Sequence, residues 1–178
     1  MMAVNTVRKL AILGVLASLA LSASAFTVGI APAEDEAYAK PPEGLGSPID
    51  DLVSGCLGAL FNAGHIATDA SVARVSRADW GPAEYGLAAA RDGMVDYLIA
   101  LFVDWAPSDY NKSVLRAVTV DYRLVRILDG KVLAQGSVNG PPDSENASAH
   151  EARTASQAGA LAIEPCLKNL STLAMGGE

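Results

Sequence analysis

The stretch Tyr97-Leu-Ile-Ala-Leu-Phe-Val103 is apolar or aromatic at every position. An unbroken apolar run of this length is typical of a strand that is buried on both faces of a sheet. At about seven residues it is too short to cross a bilayer core of ~30 Å. We therefore predict a central, fully buried strand within residues 94–105.

The segments on either side of this strand carry their own signals. An alanine-rich stretch from Pro82 to Asp92 predicts a helix that ends at Gly93. From Val114 to Leu128, apolar and polar residues alternate, which predicts a long strand with one buried face and one mostly solvated face. Asp129-Gly130 is a hairpin-turn signal, and Val132 to Val138 is the expected returning strand.

The first half of the chain predicts two further strands and a helix. Phe26 to Ala31 reads as a short strand. Ser47-Pro48 is a helix start, with the serine as cap and proline in the first turn, and Gly64 is a stop signal. His65 to Val75 alternates in the manner of a second strand.

A final helix is expected from about Ala147, where small and apolar residues recur at helical spacing. Pro165 is expected to kink this helix or to start a second segment. The predicted element order is β-α-β-α-β-β-β-α. This order indicates a single α/β domain, an α+β mixed sheet with helices packed on it.

The N-terminus has the pattern of a secretory signal peptide. Arg8 and Lys9 precede an apolar run from Leu10 to Leu21, and Ala23-Ser-Ala25 forms an A-x-A cleavage signal. We expect residues 1–25 to be removed and residues 26–178 to form one exported domain, periplasmic or secreted. No cysteine stands at the cleavage site, so a lipoprotein route is not expected.

The charge of the chain argues against nucleic-acid binding. The sequence has 13 basic and 20 acidic residues, a net charge of −7. Two basic residues and no acidic residues precede Phe26, so the processed chain would carry −9. Such a chain repels nucleic-acid phosphates and anionic lipid head groups.

Several stretches of the sequence resemble the family that includes the amino-terminal domain of TolB, the curli-secretion protein CsgG and the penicillin-binding-protein activator LpoB. They are the opening strand Phe26–Ala31, the helix end Leu60-Phe-Asn-Ala-Gly-His-Ile66, the stretch Gly93-Met-Val-Asp-Tyr-Leu-Ile99 and the hairpin Tyr122–Leu133. The resemblance implies a bacterial envelope protein that works by contact with other proteins. No propeller follows the domain, so the partner display of TolB is not expected here. No hairpins suited to a pore are present, so secretion in the manner of CsgG is not expected either. No binding residue is transferred from the family.

The chain has two cysteines, Cys56 and Cys166. An even number of cysteines in a chain expected to be exported predicts one disulfide. The alternative is two buried free thiols. Cys56 lies on the apolar stripe of its helix, and a nucleophilic role would instead require an exposed thiol with a lowered pKa.

Candidate catalytic and metal-binding groups are sparse, and we assign no catalytic, cofactor or metal residue. His65 and Asp69 are spaced for an acid–base or metal pair, but two ligands do not make a metal site. His150 is expected at a solvated helix start. Asp104, Asp109 and Asn111 do not follow a calcium-loop spacing.

Four aromatic residues flank predicted turns: Trp80, Tyr85, Trp105 and Tyr110. If they cluster at one end of the sheet they would form a recognition patch; if buried, they belong to the core. The leading hypothesis is a non-enzymatic interaction module of the bacterial envelope, with an unidentified envelope protein as partner. The alternatives are a small-ligand-binding protein and, third, a small hydrolase.

Overall fold

Strand β4 (Tyr97–Pro107) lies at the centre of a mixed sheet, as its apolar run predicts. This computed structural model describes residues 25–36, 48–107, 115–139 and 147–176. On one side β4 pairs in parallel with β1 (Thr27–Asp35), and on the other it pairs antiparallel with β5 (Leu115–Arg126). The predicted hairpin is confirmed, because β6 (Lys131–Asn139) returns antiparallel to β5.

Two short strands replace the single strand predicted over His65–Val75. Strand β2 (Ile66–Asp69) and strand β3 (Ala73–Val75) both pair in parallel with β1, near its start and near its end. The chain between them leaves the ladder, with Ala70 and Ser71 exposed. The strand order is β2-β1-β4-β5-β6, which confirms the mixed sheet of the predicted α/β class.

Two long helices cover the first face of the sheet. They are α1 (Pro48–Asn62) and α4 (Ala147–Ala174). Alternate residues of the central strands point into this main core, among them Ile99 and Leu101, which are fully buried. The helices meet at Gly55 and Gly159, where a Cβ on either glycine would lie only 2.1 Å from a backbone oxygen of the other helix. Glycine is therefore required at both positions for this close crossing.

The ends of these helices agree with the sequence signals in part. Helix α1 begins at Pro48 as predicted, while the cap residue Ser47 lies outside the described residues. After α1, Gly64 takes a φ of +84°, which only glycine adopts easily. Helix α4 continues through Pro165, so the predicted second segment is not found. The Pro165 carbonyl accepts a hydrogen bond from the Asn169 side-chain amide at 2.9 Å.

The second face of the sheet is covered by two short helices, α2 (Arg77–Trp80) and α3 (Leu87–Asp92), and by the chain around them. These replace the longer helix predicted over residues 82–92. We expected the polar face of β5 to be mostly solvated, but Arg123 and Val125 on that face are buried. The physical reason is this cover, under which Val125 packs in a small apolar cluster with Leu87 and Leu98.

Candidate functional site: a groove beside the outer strand

Helix α2 places an aromatic ring on the second face of the sheet. Ser76 caps the helix: its hydroxyl oxygen accepts from the Asp79 backbone N–H at 3.2 Å and its O–H donates to the Asp79 carboxylate at 2.7 Å. The helix is only four residues long, and its last residue, Trp80, is buried. The Trp80 ring packs against Phe102 of β4, with ring centroids 5.6 Å apart.

Arg123 of β5 lies beneath the same cover and is 4% exposed. Its guanidinium donates to the carbonyl of Pro82 at 2.5 Å and to that of Trp80 at 3.1 Å. It also lies over the Trp80 ring, 4.5 Å from the centroid, in a cation–π contact. Burial lowers the pKa of Arg123, and the nearby Glu84 carboxylate acts in the opposite direction. The group stays a cation, because a guanidinium loses its proton only far above neutral pH.

These residues border an open groove of about 420 Å³, which we call the outer groove. Three segments line it: Trp80, Gly81 and Ala83 from the cover, Asp121–Arg123 from β5, and Val132, Gln135 and Gly136 from β6. The Nε1 atom of Trp80 is buried and makes no hydrogen bond to the described residues. A buried donor without an acceptor is costly, and such atoms are rare in native proteins. The outer groove thus combines aromatic surface, a cation and hydrogen-bonding groups.

A pair of charges fixes the cover to the sheet next to the outer groove. The Arg77 guanidinium forms an ion pair with Asp121 of β5 and lies 3.8 Å from a carboxylate oxygen of Asp104 on β4. It also stacks over Phe102, 4.8 Å from the ring centroid. Because Arg77 is about half exposed, these contacts orient helix α2 more than they stabilise the fold.

The outer groove is adjacent to a free sheet edge. Within the described ranges, β6 pairs with β5 alone, so its other side presents backbone N–H and C=O groups. Lys131 is the one charged residue among the nine residues of β6. Gln135, Gly136 and Ser137 are exposed near the middle of the strand. A nine-residue edge with a single charge, at its first residue, is a surface on which an extended segment can pair.

The three described members of the candidate aromatic patch, Trp80, Tyr85 and Trp105, do not lie together. Trp80 and the partly buried Tyr85 belong to one small cluster on the second face. Trp105 is 8% exposed and points into the main core on the opposite face, so it is not a surface residue. Tyr110 lies outside the described residues. A recognition role therefore remains a prediction for Trp80 and Tyr85, and Trp105 is core.

Arg123 and Gln135 were not among the predicted site residues. Arg123 alternates with apolar residues in β5 and so reads as a solvated arginine. One signal was present: Val125 continues the supposedly polar face with an apolar side chain, which indicates cover on that face.

The proposed pairing of His65 with Asp69 does not occur. His65 precedes β2 and Asp69 ends it, so the extended strand holds their side chains roughly 13 Å apart. His65 is buried, stacks on Phe26 with centroids 5.8 Å apart, and accepts a hydrogen bond from the Phe26 backbone N–H at Nδ1. Burial lowers the pKa of His65. The side chain therefore serves the packing of the strand start.

The predicted disulfide between Cys56 and Cys166 is not supported, because the two thiols are unbonded and buried. Cys56 donates through Sγ to the Gly159 carbonyl at 3.2 Å, which holds the thiol in the helix interface. Burial raises the pKa of both thiols to about 12, with Cys166 adding to the effect on Cys56. Both are protonated at neutral pH, which does not favour a nucleophilic role.

Metal binding and membrane crossing can also be assessed within the described residues. No cluster of three or more His, Cys, Asp or Glu side chains suited to a metal ion is found there. In the same ranges, no helix has the length and apolar character needed to cross a membrane.

The predictions for Asp109, Asn111 and the signal peptide fall on residues outside those described, as does the side chain of His150.

Comparison with known proteins gives a likeness of fold. No protein-family model matches the sequence, and no curated protein matches it. PelC from Paraburkholderia phytofirmans, solved as a dodecamer, has a TM-score of 0.50 at 17% identity, over 82% of this chain and 90% of that chain. Lipoprotein GNA1162 from Neisseria meningitidis has a TM-score of 0.46 at 15% identity, over 72% and 91% of the two chains.

Two of the three proteins named by the sequence resemblance are also matched. TolB from Acinetobacter baumannii has a TM-score of 0.41 at 12% identity, over 83% of this chain and 28% of that chain. The C-terminal domain of LpoB from Salmonella enterica has a TM-score of 0.30 at 12% identity, over 68% and 90%. With PelC at a TM-score of 0.50, the comparisons show a likeness at the level of fold.

Proposed function

We propose that this protein is an exported, non-catalytic interaction module of the bacterial cell envelope, formed by residues 26–178 after removal of residues 1–25. The observation that carries the proposal is the outer groove beside the edge of β6 with which no other described strand pairs. The likeness of fold to envelope proteins supports the location.

The outer groove and the edge of β6 would act together. An extended segment of the partner protein pairs with β6 through backbone hydrogen bonds, and one of its side chains enters the outer groove. The charge of Arg123, which lines the outer groove, favours a side chain that ends in a hydrogen-bond acceptor. Backbone pairing supplies affinity, whereas the side chain in the groove supplies selectivity.

A crosslinking experiment with matched variants tests this function. A photo-crosslinking amino acid replaces Ala83, which lines the outer groove from the cover, in the full chain expressed in bacteria. The expected result is one discrete adduct, which mass spectrometry identifies. Gln135→Arg, on the β6 side of the groove, should abolish the adduct and weaken binding of the purified partner by about tenfold or more.

Glu164→Arg provides the control, because it adds the same residue at an exposed position of α4. This variant should leave the adduct unchanged. An adduct that survives Gln135→Arg, or is lost equally in Glu164→Arg, contradicts the assignment of the outer groove as the binding site.

A small-ligand-binding function is the second candidate. It is favoured by the volume of the outer groove, which falls within the range of small-molecule sites, and by its mixed polar and aromatic lining. If the purified chain binds a small envelope metabolite with loss of affinity in Gln135→Arg, and the Ala83 crosslinker captures no protein, this second function replaces the first.

A further inference from the structure

The edge of β6 is bordered by a hollow on each face of the sheet. The outer groove lies on the second face, where Val132 and Gln135 belong to its lining. A separate hollow of about 320 Å³ lies on the first face, between β6 and the last turns of α4, and we call it the lysine hollow. It is lined by Lys131, Val132 and Leu133 of β6 and by Lys168, Asn169, Thr172 and Leu173 of α4. A strand added to this edge would therefore have a recess on either side.

The register of β5 and β6 assigns the two recesses to opposite faces. Gln135 is paired with Arg123, whose side chain lies under the cover of the second face. Lys131 is paired with Arg126, which follows Arg123 by three residues and therefore points to the first face. Leu133, which also lines the lysine hollow, packs against the main core on that face.

The lysine hollow concentrates positive charge in an acidic chain. The net charge of the sequence is −7, yet both lysines of the described ranges, Lys131 and Lys168, line this hollow. Within those ranges neither ammonium group forms an ion pair, whereas Arg74, Arg77 and Arg126 each bind a carboxylate. The two lysines are exposed, so both can reach a ligand at the mouth of the hollow.

The carboxylates nearest to the hollow do not occupy these lysines. Asp129 is held by Arg126, which donates two hydrogen bonds to it at 3.1 and 2.7 Å. Glu164 lies one turn before Lys168 on α4, but no ion pair joins the two side chains among the residues that the structure describes. The hollow therefore offers two charged donors, and an anion is the complementary ligand.

An irregularity in the ladder sets the spacing between the two recesses. The register shifts at Leu124/Val125, so residues 131–135 of β6 lie opposite residues 123–126 of β5. Four steps of β6 thus match three steps of its regular neighbour, and a strand on the free edge would cover the same length in about three steps. An odd number of steps places two side chains on opposite faces. A side chain three positions from the one in the outer groove would therefore face the lysine hollow.

We propose that the partner segment paired with β6 carries an Asp or Glu three positions from the side chain that enters the outer groove, and that this carboxylate binds Lys131 and Lys168. The inference rests on the proposed function and adds the chemistry of the partner. Backbone pairing alone allows a strand to slip along an edge, whereas two side chains on opposite faces select one register. Because the lysines are at the surface, the carboxylate adds selectivity more than affinity.

Selection from a peptide library tests this chemistry without the natural partner. Random peptides of about nine residues, the length of β6, are displayed on phage and selected against the purified full chain. The wild type should enrich peptides with Asp or Glu three positions from a second residue that ends in a hydrogen-bond acceptor. Lys168→Glu should instead enrich Lys or Arg at the acidic position, since it reverses a charge of the hollow and leaves β6 and the outer groove unchanged. Lys131→Glu, on the other side of the hollow, should give the same exchange.

Arg91→Glu is the matched control, because it makes the same charge change at an exposed residue of α3, on the second face. This variant should keep the acidic preference. For an enriched peptide, fluorescence polarisation should show binding weakened about fivefold by Lys168→Glu and less than about twofold by Arg91→Glu.

The outcomes separate this inference from the proposed function. Peptides without an acidic position, or an acidic preference that survives both lysine reversals, overturn the inference; if those peptides are still lost in Gln135→Arg, the outer groove stands. Peptides that bind Gln135→Arg as well as the wild type, or the absence of any enriched peptide, contradict the proposed function and the inference together.

Discussion

The crossing of α1 and α4 gives a prediction whose sign can be worked out from the structure. A Cβ added at Gly55 would lie 2.1 Å from the Ser156 carbonyl oxygen, where ordinary contact begins at 3.4 Å. Gly55→Ala must therefore separate the two helices by about 1 Å. Overpacking of this kind costs about 3 kcal/mol, and alanine returns about 1 kcal/mol through its better helix propensity. We expect a net loss of about 2 kcal/mol.

The same helix supplies a control with the opposite sign. A Cβ added at Gly58 meets nothing within 4 Å, so Gly58→Ala should gain about 1 kcal/mol from helix propensity alone. Urea denaturation of the full chain, followed by the fluorescence of the buried Trp80 and Trp105, measures both. If Gly55→Ala is as stable as the wild type, or the two variants change stability alike, the reasoning from the close crossing is wrong.

Four further predictions concern single side chains. Burial lowers the pKa of His65, so the folded state favours the neutral ring. The stabilisation that this ring provides is present above pH 6.5 and is lost as the pH falls through the folded-state pKa. His65→Asn should therefore remove this part of the pH dependence of urea unfolding. Trp105→Ala should destabilise the fold by about 3–5 kcal/mol in urea denaturation, and a stability near that of the wild type would show that Trp105 is not core. A reducing agent should leave the thermal midpoint unchanged, because Cys56 and Cys166 are free thiols that react with Ellman's reagent only on unfolding; a lowered midpoint would show a disulfide instead. Met94→Gly should raise the free energy of unfolding by about 0.5–1 kcal/mol in urea denaturation, through relief of its left-handed conformation; a lower free energy than that of the wild type would contradict this.

The strands were predictable where the pattern of apolar residues alone decides which face of the sheet each side chain occupies. The run from Tyr97 to Val103 required burial on both faces, and Asp129-Gly130 located the turn of the hairpin, although the loop spans the four residues 127–130. These two signals define the centre and one edge of the sheet. The split of the second strand was not predictable, because Ile66–Asp69 and Ala73–Val75 each pair with a different part of β1.

The outer groove depends on contacts that no local pattern encodes. Arg123 is buried because a segment forty residues earlier in the chain lies over it and offers the carbonyls of Trp80 and Pro82. A lone arginine within an alternating strand has the same local pattern whether it is solvated or covered. For the same reason the sequence left open whether Trp105, which flanks a predicted turn, lies at the surface or in the core, and the structure places its side chain in the main core.

The helix crossing also has a consequence for when the domain can fold. Cys56 donates to Gly159, 103 residues later in the sequence, and both helices are needed to cover the first face of the sheet. Until the ribosome has released most of α4, a nascent chain has no second helix with which to close the main core. Contacts this distant form late, so the growing chain stays loosely folded until nearly all of it has been synthesised.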